Sequence, residues 1–336
     1  MSESVVLCPG QGAQAVGMGR GWAQASAAAR RVFEEADAIL RDGGVDRLGA
    51  PLSSLCFEGP AERLNRTDAS QPAIFTVSIA CHAALRERGD ERAAELGRPS
   101  AAAGLSLGEY TALCLAGAFD FAEGLRLVAT RGKLMQEAAE ASRGGMVALM
   151  GADEAQAQGL CDLAAEGDVL VAANFNAPGQ IVLSGHAAAC ERAVGLAGSL
   201  GCRATPLVVA GAFHSPLMRP AADRMAESLA AADLRPPAFE VWSNVTAQPH
   251  PAEDLELLRR RLVEQIVSPV RWSQTCATLA AGSRPEPAPA ASRAVEASPS
   301  PSGTSRKFHE LAPGTVLKGL LRRIDRSCEV INHDQP

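Results

Sequence analysis

The pentapeptide Gly104-Leu105-Ser106-Leu107-Gly108 constrains the fold more than any other stretch of this sequence. It follows the small apolar run 101–103 and precedes a helical pattern, which predicts a strand, a sharp turn and a helix. In so tight a turn, side chains two positions before and after the serine would collide, so glycine is needed at both. We therefore predict a nucleophile elbow that presents Ser106 at the edge of a sheet.

The apolar patterns around this turn predict an α/β fold with a mainly parallel sheet. Residues 5–8 are typical of a short buried strand, and a glycine-rich turn at 9–14 leads from it into a helix that extends to about Leu40. Strands that alternate with helices favour a parallel sheet flanked by helices. Further helical patterns cover residues 71–88, 107–118, 120–140, 255–266 and 317–324.

The order of the predicted strands and helices changes near residue 144. Strand and helix patterns follow one another as β-α-β-β-α-β, which is the order of a ferredoxin-like unit. They cover 146–150, 153–165, 169–173, 180–184, 187–200 and 203–209. We therefore predict a ferredoxin-like subdomain at 144–209, inserted into an α/β core formed by 1–143 and 210–336. The Pro-, Ala- and Ser-rich stretch 282–306 has no apolar period and predicts a flexible insert in that core.

A serine hydroxyl needs a base before it becomes a good nucleophile. Of the six histidines, His214 is the best candidate, because it follows an apolar strand pattern at 207–210 in a loop of the kind that lies over a sheet end. His82 in its helical pattern, and His309 and His333 near the C-terminus, fit core or surface packing. We therefore predict that His214 is the base for Ser106.

The turn Gly10-Gln11-Gly12 offers consecutive backbone N–H groups, which could stabilise a developing oxyanion or bind a phosphate. The dinucleotide fingerprint needs a third glycine where Ala15 stands, and the P-loop needs a lysine where Met18 stands. Nucleotide binding is thus disfavoured.

Arg131 lines up with Leu127 and Leu134 beside the apolar stripe of a helical pattern, so its side chain is aimed partly inward. One interpretation is a snorkelling side chain or an internal ion pair. The other is a planar guanidinium that binds a substrate carboxylate through two parallel hydrogen bonds. The pattern itself leaves both open.

Composition disfavours several other classes of protein. A net charge of −6 gives no support to nucleic-acid binding. No apolar run approaches the roughly 20 residues of a membrane span, and the first residues lack the features of a signal peptide. The nine cysteines form no C-x-x-C pair, so we expect neither a disulfide framework nor a metal site. We expect a cytoplasmic monomer with reduced thiols, bound neither to membrane nor to nucleic acid.

Six segments follow one another along nearly the whole chain: Pro9-Gly10-Gln11-Gly12-Ala13-Gln14, Gly104-Leu105-Ser106-Leu107-Gly108-Glu109-Tyr110, Arg131-Gly132-Lys133-Leu134-Met135-Gln136, Asn174-Phe175-Asn176-Ala177-Pro178-Gly179-Gln180, Phe213-His214-Ser215-Pro216-Leu217-Met218 and Pro269-Val270-Arg271-Trp272. Together they resemble the malonyl-CoA:acyl-carrier-protein transacylases of fatty-acid synthesis. The resemblance implies an α/β, hydrolase-like core with a ferredoxin-like subdomain.

The resemblance also implies roles for individual residues. Ser106 would be the acylated serine and His214 its base. The N–H groups of Gln11 and Leu107 would form an oxyanion hole, and Arg131 would pair with the malonyl carboxylate.

The substrate pocket would include Phe213 and Asn174, with Phe213 leaving little room for a methyl branch. Backbone carbonyl in the segment from Ser268 to Arg271 would orient the histidine, so that no third acid is needed. Many bacterial members have histidine where this chain has Leu105, a change that leaves the turn geometry free.

The implied reaction is a ping-pong transfer, in which Ser106 takes malonyl from malonyl-CoA and the phosphopantetheine thiol of an acyl carrier protein collects it. No bound cofactor is implied. Because carrier proteins are acidic, residues 259–261 and the basic side chains Lys318, Arg322 and Arg323 are candidate docking residues, although a solvated helix face explains them equally well.

Three alternatives remain. A hydrolase could use the same serine and histidine, but Arg131 argues against it. A stand-alone enzyme that loads a polyketide synthase fits the same residues. A non-catalytic carrier-binding protein is disfavoured by the intact Ser106 and His214.

Overall fold

Two separate β-sheets and the helices around them organise the residues that the computed structural model describes, 3–42, 48–282 and 306–336. The elements in chain order are β1 (Ser4–Cys8), α1 (Arg20–Ala25), α2 (Ala27–Asp42), α3 (Leu52–Glu58), α4 (Ala61–Leu64), α5 (Thr67–Glu87), α6 (Glu91–Gly97), β2 (Ala101–Gly104), α7 (Gly108–Leu115), α8 (Phe121–Ala141), β3 (Gly144–Met150), α9 (Glu154–Ala165), β4 (Leu170–Ala177), β5 (Gln180–His186), α10 (Ala187–Leu196), β6 (Arg203–Pro206), α11 (Arg219–Ala231), β7 (Glu240–Trp242), α12 (Leu255–Gln265), α13 (Trp272–Ala281), β8 (Lys307–Leu311), α14 (Val316–Ile324) and β9 (Glu329–His333). The predicted insert at 282–306 falls almost entirely outside the described residues.

The larger sheet is parallel and confirms the mainly parallel sheet predicted for the core. Its strand order is β7-β2-β1-β8-β9, which places β1 in the middle. Every residue of β1 and β2 is buried, as expected for strands covered on both faces. Because Cys8 is aligned with Gly104, the turns that follow β1 and β2 lie side by side at one edge of the sheet.

The smaller sheet is antiparallel, with strand order β4-β5-β3-β6. Its strands and helices follow the predicted order β-α-β-β-α-β, from β3 through α9, β4, β5 and α10 to β6. The sheet buries its own apolar cluster, which includes Leu149, Leu160 and Leu183. This part of the chain therefore has a core distinct from that of the parallel sheet.

The predicted strand at 203–209 is too long, and the strand pattern at 207–210 is wrong. Strand β6 ends at Pro206, and the four residues after it have no regular structure. Val208 is fully exposed, and all four residues line the same cleft as Ser106. An apolar run that lines a cleft resembles a buried strand in sequence, which explains the error.

The single helix predicted to extend to about Leu40 is divided in two. Residues 9–19 form no helix, and α1 ends before Ser26. The Ser26 hydroxyl accepts a hydrogen bond from the N–H of Ala29 at 3.1 Å, which starts α2 afresh. Among the helices of the described ranges, none is long and apolar enough to cross a membrane.

Helices α5 and α8 pack closely and carry two polar side chains towards the parallel sheet. A Cβ atom at Gly132 of α8 would lie 2.6 Å from the backbone oxygen of Thr67, so only glycine permits this approach. As a result, Gln71 of α5 lies within hydrogen-bond distance of Arg131 of α8.

The turn between β2 and α7 depends on its two glycines. A Cβ atom at Gly104 would lie 1.9 Å from the backbone carbon of Gly108, and one at Gly108 would lie 2.1 Å from the oxygen of Cys8. Ser106 between them has φ 53°, a left-handed conformation that few non-glycine residues adopt. The predicted collision around the serine is thus present in the structure.

We expect Gly104→Ala to lower the free energy of unfolding by about 1–3 kcal/mol, because backbone must move to admit the methyl group. Gly159→Ala is the matched control: it lies within α9 with nothing within 4 Å of the new Cβ, and should raise the free energy of unfolding by about 0.5–1 kcal/mol. Urea denaturation measures both. Equal stabilities of the two variants would contradict the tight turn.

Candidate active site

Ser106 and His214 meet at the edge of the parallel sheet. Ser106 Oγ lies 2.8 Å from His214 Nε2, and His214 Nδ1 lies 2.8 Å from the backbone oxygen of Gln265. Because that carbonyl can only accept, Nδ1 carries the proton, and Nε2 is left to accept from the serine hydroxyl. The structure thus brings together the predicted nucleophile and base in a geometry suited to proton transfer.

His214 has two backbone partners. One is the oxygen of Gln265, the last residue of α12, which the sequence did not predict, and the other is the backbone at Ser268, within the predicted segment from Ser268 to Arg271. The carbonyls of the last helical turn have no partner within the helix, so one is free to bind the imidazole. The side chain of Arg271, at the other end of the predicted segment, donates from Nε to the backbone oxygen of Val245 at 3.1 Å.

Burial is the main influence on the charge of His214. It lowers the pKa of the imidazole to about 4, with a further lowering by the positive charge of Arg131. Hydrogen bonds to the backbone at Gln265 and Ser268 act in the opposite direction but do not outweigh burial. His214 is therefore neutral at neutral pH and able to accept a proton.

Arg131 is buried beside the nucleophile, with only 1% of its surface exposed. Its guanidinium donates to Gln71 Oε1 at 2.7 Å, to Gln265 Oε1 at 2.8 Å and to Ser106 Oγ at 3.1 Å. Among the described residues it forms no ion pair, and its Nε has no hydrogen-bond partner. It neither snorkels nor joins an internal ion pair, so neither structural interpretation drawn from the sequence matches.

The two predicted oxyanion-hole residues, Gln11 and Leu107, both line the same cleft as Ser106. Within the described part of the chain, neither backbone N–H donates a hydrogen bond to protein. The N–H of Ser106, by contrast, is occupied by Asn244 Oδ1 at 2.6 Å. A Cβ atom at Gly10 would lie 2.2 Å from the oxygen of Leu105, so the two turns are in close contact.

The cleft above these residues has a volume of about 730 Å³. Phe213 and Asn174, which the resemblance assigned to a substrate pocket, both line it, and both are largely buried. Met135, Met146 and Val182 add apolar surface. The cleft is therefore large enough to hold a small-molecule ligand against Ser106.

Sequence reasoning missed a buried polar network beneath the serine. Glu109, Asn244, His250 and Gln265 are each at most 5% exposed, and hydrogen bonds connect them to one another. A glutamate three residues after the serine, in the otherwise apolar helix α7, was a signal that could have identified it. In the described ranges no group of three or more metal-binding side chains is suitably placed to hold an ion.

The model of the acyl transferase domain family matches residues 5–302 of this chain. The chain therefore belongs to the acyltransferases. The malonyl CoA-acyl carrier protein transacylase of Escherichia coli K12 is 38% identical over 325 residues, which cover 96% of this chain and 93% of that protein. The transacylase of Bacillus subtilis strain 168 is also 38% identical, over 100% of this chain and 95% of the relative.

Solved structures agree with this placement. The malonyl CoA-acyl carrier protein transacylase of Coxiella burnetii superposes with a TM-score of 0.85 at 34% identity, over 100% of this chain and 95% of the other. A malonyl-transacylase solved with its type II PKS acyl-carrier protein gives the same score and identity, over 100% and 97%. Within the acyltransferases, the chain is a member of the malonyl CoA-acyl carrier protein transacylase family.

Because burial keeps His214 neutral, we expect the rate of Ser106 acylation by a thioester to stay nearly constant from pH 8 to about 5 and to fall towards pH 4. A histidine of ordinary pKa would halve the rate at about pH 6.5. Quenched-flow mass spectrometry of the acylated protein measures the rate, and a half-loss near pH 6.5 would contradict the buried, neutral base.

Circular dichroism at each pH provides the control. The pKa of His214 is lower in the folded state than in the unfolded state, so between about pH 6.5 and 4 the unfolded state binds more protons. Stability contributed by this residue is therefore present above pH 6.5 and falls as the pH falls. Unfolding would show as a lost helical signal, whereas titration of the base would not.

Proposed function

We propose that this chain transfers malonyl from malonyl-CoA to the phosphopantetheine thiol of an acyl carrier protein through an ester on Ser106, in fatty-acid synthesis. One observation carries the proposal: a buried guanidinium that forms no ion pair with the residues placed in the structure donates to the same serine oxygen that His214 can deprotonate. The family names of its relatives support the same donor and acceptor.

In the first half-reaction, His214 Nε2 takes the proton of Ser106 as Oγ attacks the thioester carbonyl carbon. The N–H groups of Gln11 and Leu107 are free to stabilise the oxyanion that forms. As the carbon–sulfur bond breaks, the CoA sulfur leaves with the proton held by His214. The acyl group is then an ester of Ser106.

The second half-reaction reverses these steps with another thiol. His214 takes the proton of the phosphopantetheine thiol, its sulfur attacks the Ser106 ester, and the proton returns to Oγ as the ester bond breaks. The same neutral imidazole serves both halves, because each starts by removing a proton.

Selection of malonyl rests on the electrostatics of Arg131. Burial lowers the pKa of the guanidinium and outweighs the opposite effect of the nearby Tyr110 and Glu109. A malonyl carboxylate would supply a negative charge, whereas an acetyl group would leave the cation unpaired. Phe213 at the cleft wall would limit substituents on the malonyl carbon.

The proposal includes finer features of the fold. We assign residues 1–143 and 210–336 to a hydrolase-like core and 144–209 to a ferredoxin-like subdomain, supported by the separate sheet and the separate apolar cluster of β3 to β6. Location in the cytoplasm and a monomeric state stay predictions from the sequence.

A polyketide carrier is the second candidate acceptor, because a similar solved malonyl-transacylase is bound to a type II PKS acyl-carrier protein. Both kinds of carrier present the same phosphopantetheine thiol, so the residues around Ser106 would act alike on either.

We expect Arg131→Ala to lower kcat/KM for malonyl-CoA by about 10- to 150-fold, because a charged hydrogen bond is lost. The value for acetyl-CoA should change far less, so the malonyl preference falls. Arg126→Ala, at an exposed position of the same helix α8, is the matched control and should leave both values unchanged. An unaltered preference in Arg131→Ala would refute the role of this residue.

Transfer and hydrolysis can be separated directly. With malonyl-CoA and a holo acyl carrier protein, we expect malonyl to appear on the carrier much faster than free malonate appears, since the ester persists until a thiol arrives. Chromatography of both products against time measures the ratio. Faster release of malonate than transfer would identify a hydrolase.

A further inference from the structure

Glu109 is a buried carboxylate that the reaction described above does not use. It lies in the first turn of α7, three residues after Ser106, and is fully buried. Its two oxygens accept three hydrogen bonds, from the N–H of Asn244 at 2.9 Å, from Gln265 Nε2 at 2.7 Å and from His250 Nε2 at 2.6 Å. A buried carboxylate needs such partners, and two of these three lead back to the active site.

The contact with Asn244 supports the nucleophile. The side chain of Asn244 accepts from the N–H of Ser106 at 2.6 Å and donates to the oxygen of Gly104 at 2.7 Å, so it bridges the sharp turn. Ser106 holds its left-handed conformation inside this bridge. Because Glu109 binds the backbone N–H of Asn244, it fixes the residue that holds the turn in place.

The contact with Gln265 supports the base and the arginine together. Gln265 accepts from His214 through its backbone oxygen and from Arg131 through its side-chain oxygen. A side-chain amide can turn over and exchange its oxygen and nitrogen. The Gln265 nitrogen donates to Glu109 Oε2 at 2.7 Å and to the backbone oxygen of Ser106 at 3.0 Å, and both of these groups can only accept. Glu109 therefore helps to keep the amide oxygen facing Arg131.

His250 holds the opposite side of the same carboxylate. Its Nε2 lies 2.6 Å from Glu109 Oε1, whereas Asn244 and Gln265 both use Oε2. Within the described residues, His250 makes no side-chain hydrogen bond to Ser106, His214 or Arg131. It is therefore a natural comparison for Glu109: equally buried, in the same network, but with no direct link to the reacting groups.

We propose that Glu109 is a positioning residue. Through its contacts with Gln265 and Asn244, one carboxylate holds the base, the serine turn and the carboxylate-binding arginine in position. This inference rests on the proposed malonyl transfer. With glutamine at position 109, the negative charge is lost and one amide oxygen replaces two carboxylate oxygens as the acceptor for Asn244, Gln265 and His250. The Gln265 amide is then held by the Ser106 backbone oxygen and Arg131 without the carboxylate, so its position beside the place where the malonyl carboxylate is to be bound is less firmly fixed.

The test compares Glu109→Gln with His250→Gln. The measured quantity is the ratio of kcat/KM for malonyl-CoA to kcat/KM for acetyl-CoA, which does not depend on how much of a preparation is folded. In Glu109→Gln we expect kcat/KM for malonyl-CoA to fall about 10- to 100-fold and the ratio to fall about 10-fold, the effect of leaving one buried polar group unpaired. In His250→Gln the ratio should stay within about twofold of native, since both bonds to Oε2 remain.

A native ratio in Glu109→Gln would overturn the proposal, as would equal falls in both variants, which would indicate a general packing role. Glu109→Asp keeps an acceptor-only group, and its ratio should lie nearer the native value than that of Glu109→Gln; a lower ratio would also overturn the proposal. If the native protein shows no malonyl preference, the proposed function itself fails. If the native protein prefers malonyl-CoA and Glu109→Gln keeps that preference, the role of Glu109 is refuted while the proposed function stands.

Discussion

The close approach of two turns at the edge of the parallel sheet is the constraint on which the site depends. The turn after β1 and the turn after β2 touch so closely that glycine is required at Gly10, Gly104 and Gly108. Gln11, in the first turn, and Leu107, in the second, line the same cleft as Ser106. The two helices that supply Gln71 and Arg131 also approach each other closely because Gly132 has no side chain.

Charge is distributed in the site so that each group is held in the state that the chemistry needs. Burial keeps His214 neutral and lowers the pKa of Arg131, while the Glu109 side chain lies beneath them and accepts hydrogen bonds from three donors. A site built from buried polar groups lowers the stability of the protein, because desolvation is only partly offset by hydrogen bonds. Gln265 connects the three groups, since its backbone and its side chain contact different partners.

Much of the fold could be predicted because long periodic segments encode it. The apolar period of α5, α8 and the β3–β6 segment predicted elements that the structure confirms, and the spacing around Ser106 predicted the turn. Strands β7, β8 and β9 were missed, because runs of three to five residues carry little periodic signal. The apolar run at 207–210 was mistaken for a strand because its side chains line a cleft.

The active-site residues also fall into two groups, those that the sequence could predict and those that it could not. Ser106, His214 and Arg131 could be chosen from local pattern and chemistry, helped by the family resemblance. The contact of His214 with the carbonyl of Gln265, and the link from Glu109 to Gln265 across 156 positions, exist only through tertiary contact. No local pattern marks Gln265 as the residue where these contacts meet.

The central claim, that Ser106 carries the acyl group, is tested most directly by intact-mass measurement after brief exposure to malonyl-CoA. We expect the native protein to gain the mass of one malonyl group, peptide mapping to place it on Ser106, and Ser106→Ala to gain nothing. A native protein without the adduct, or an undiminished adduct in Ser106→Ala, would contradict the claim.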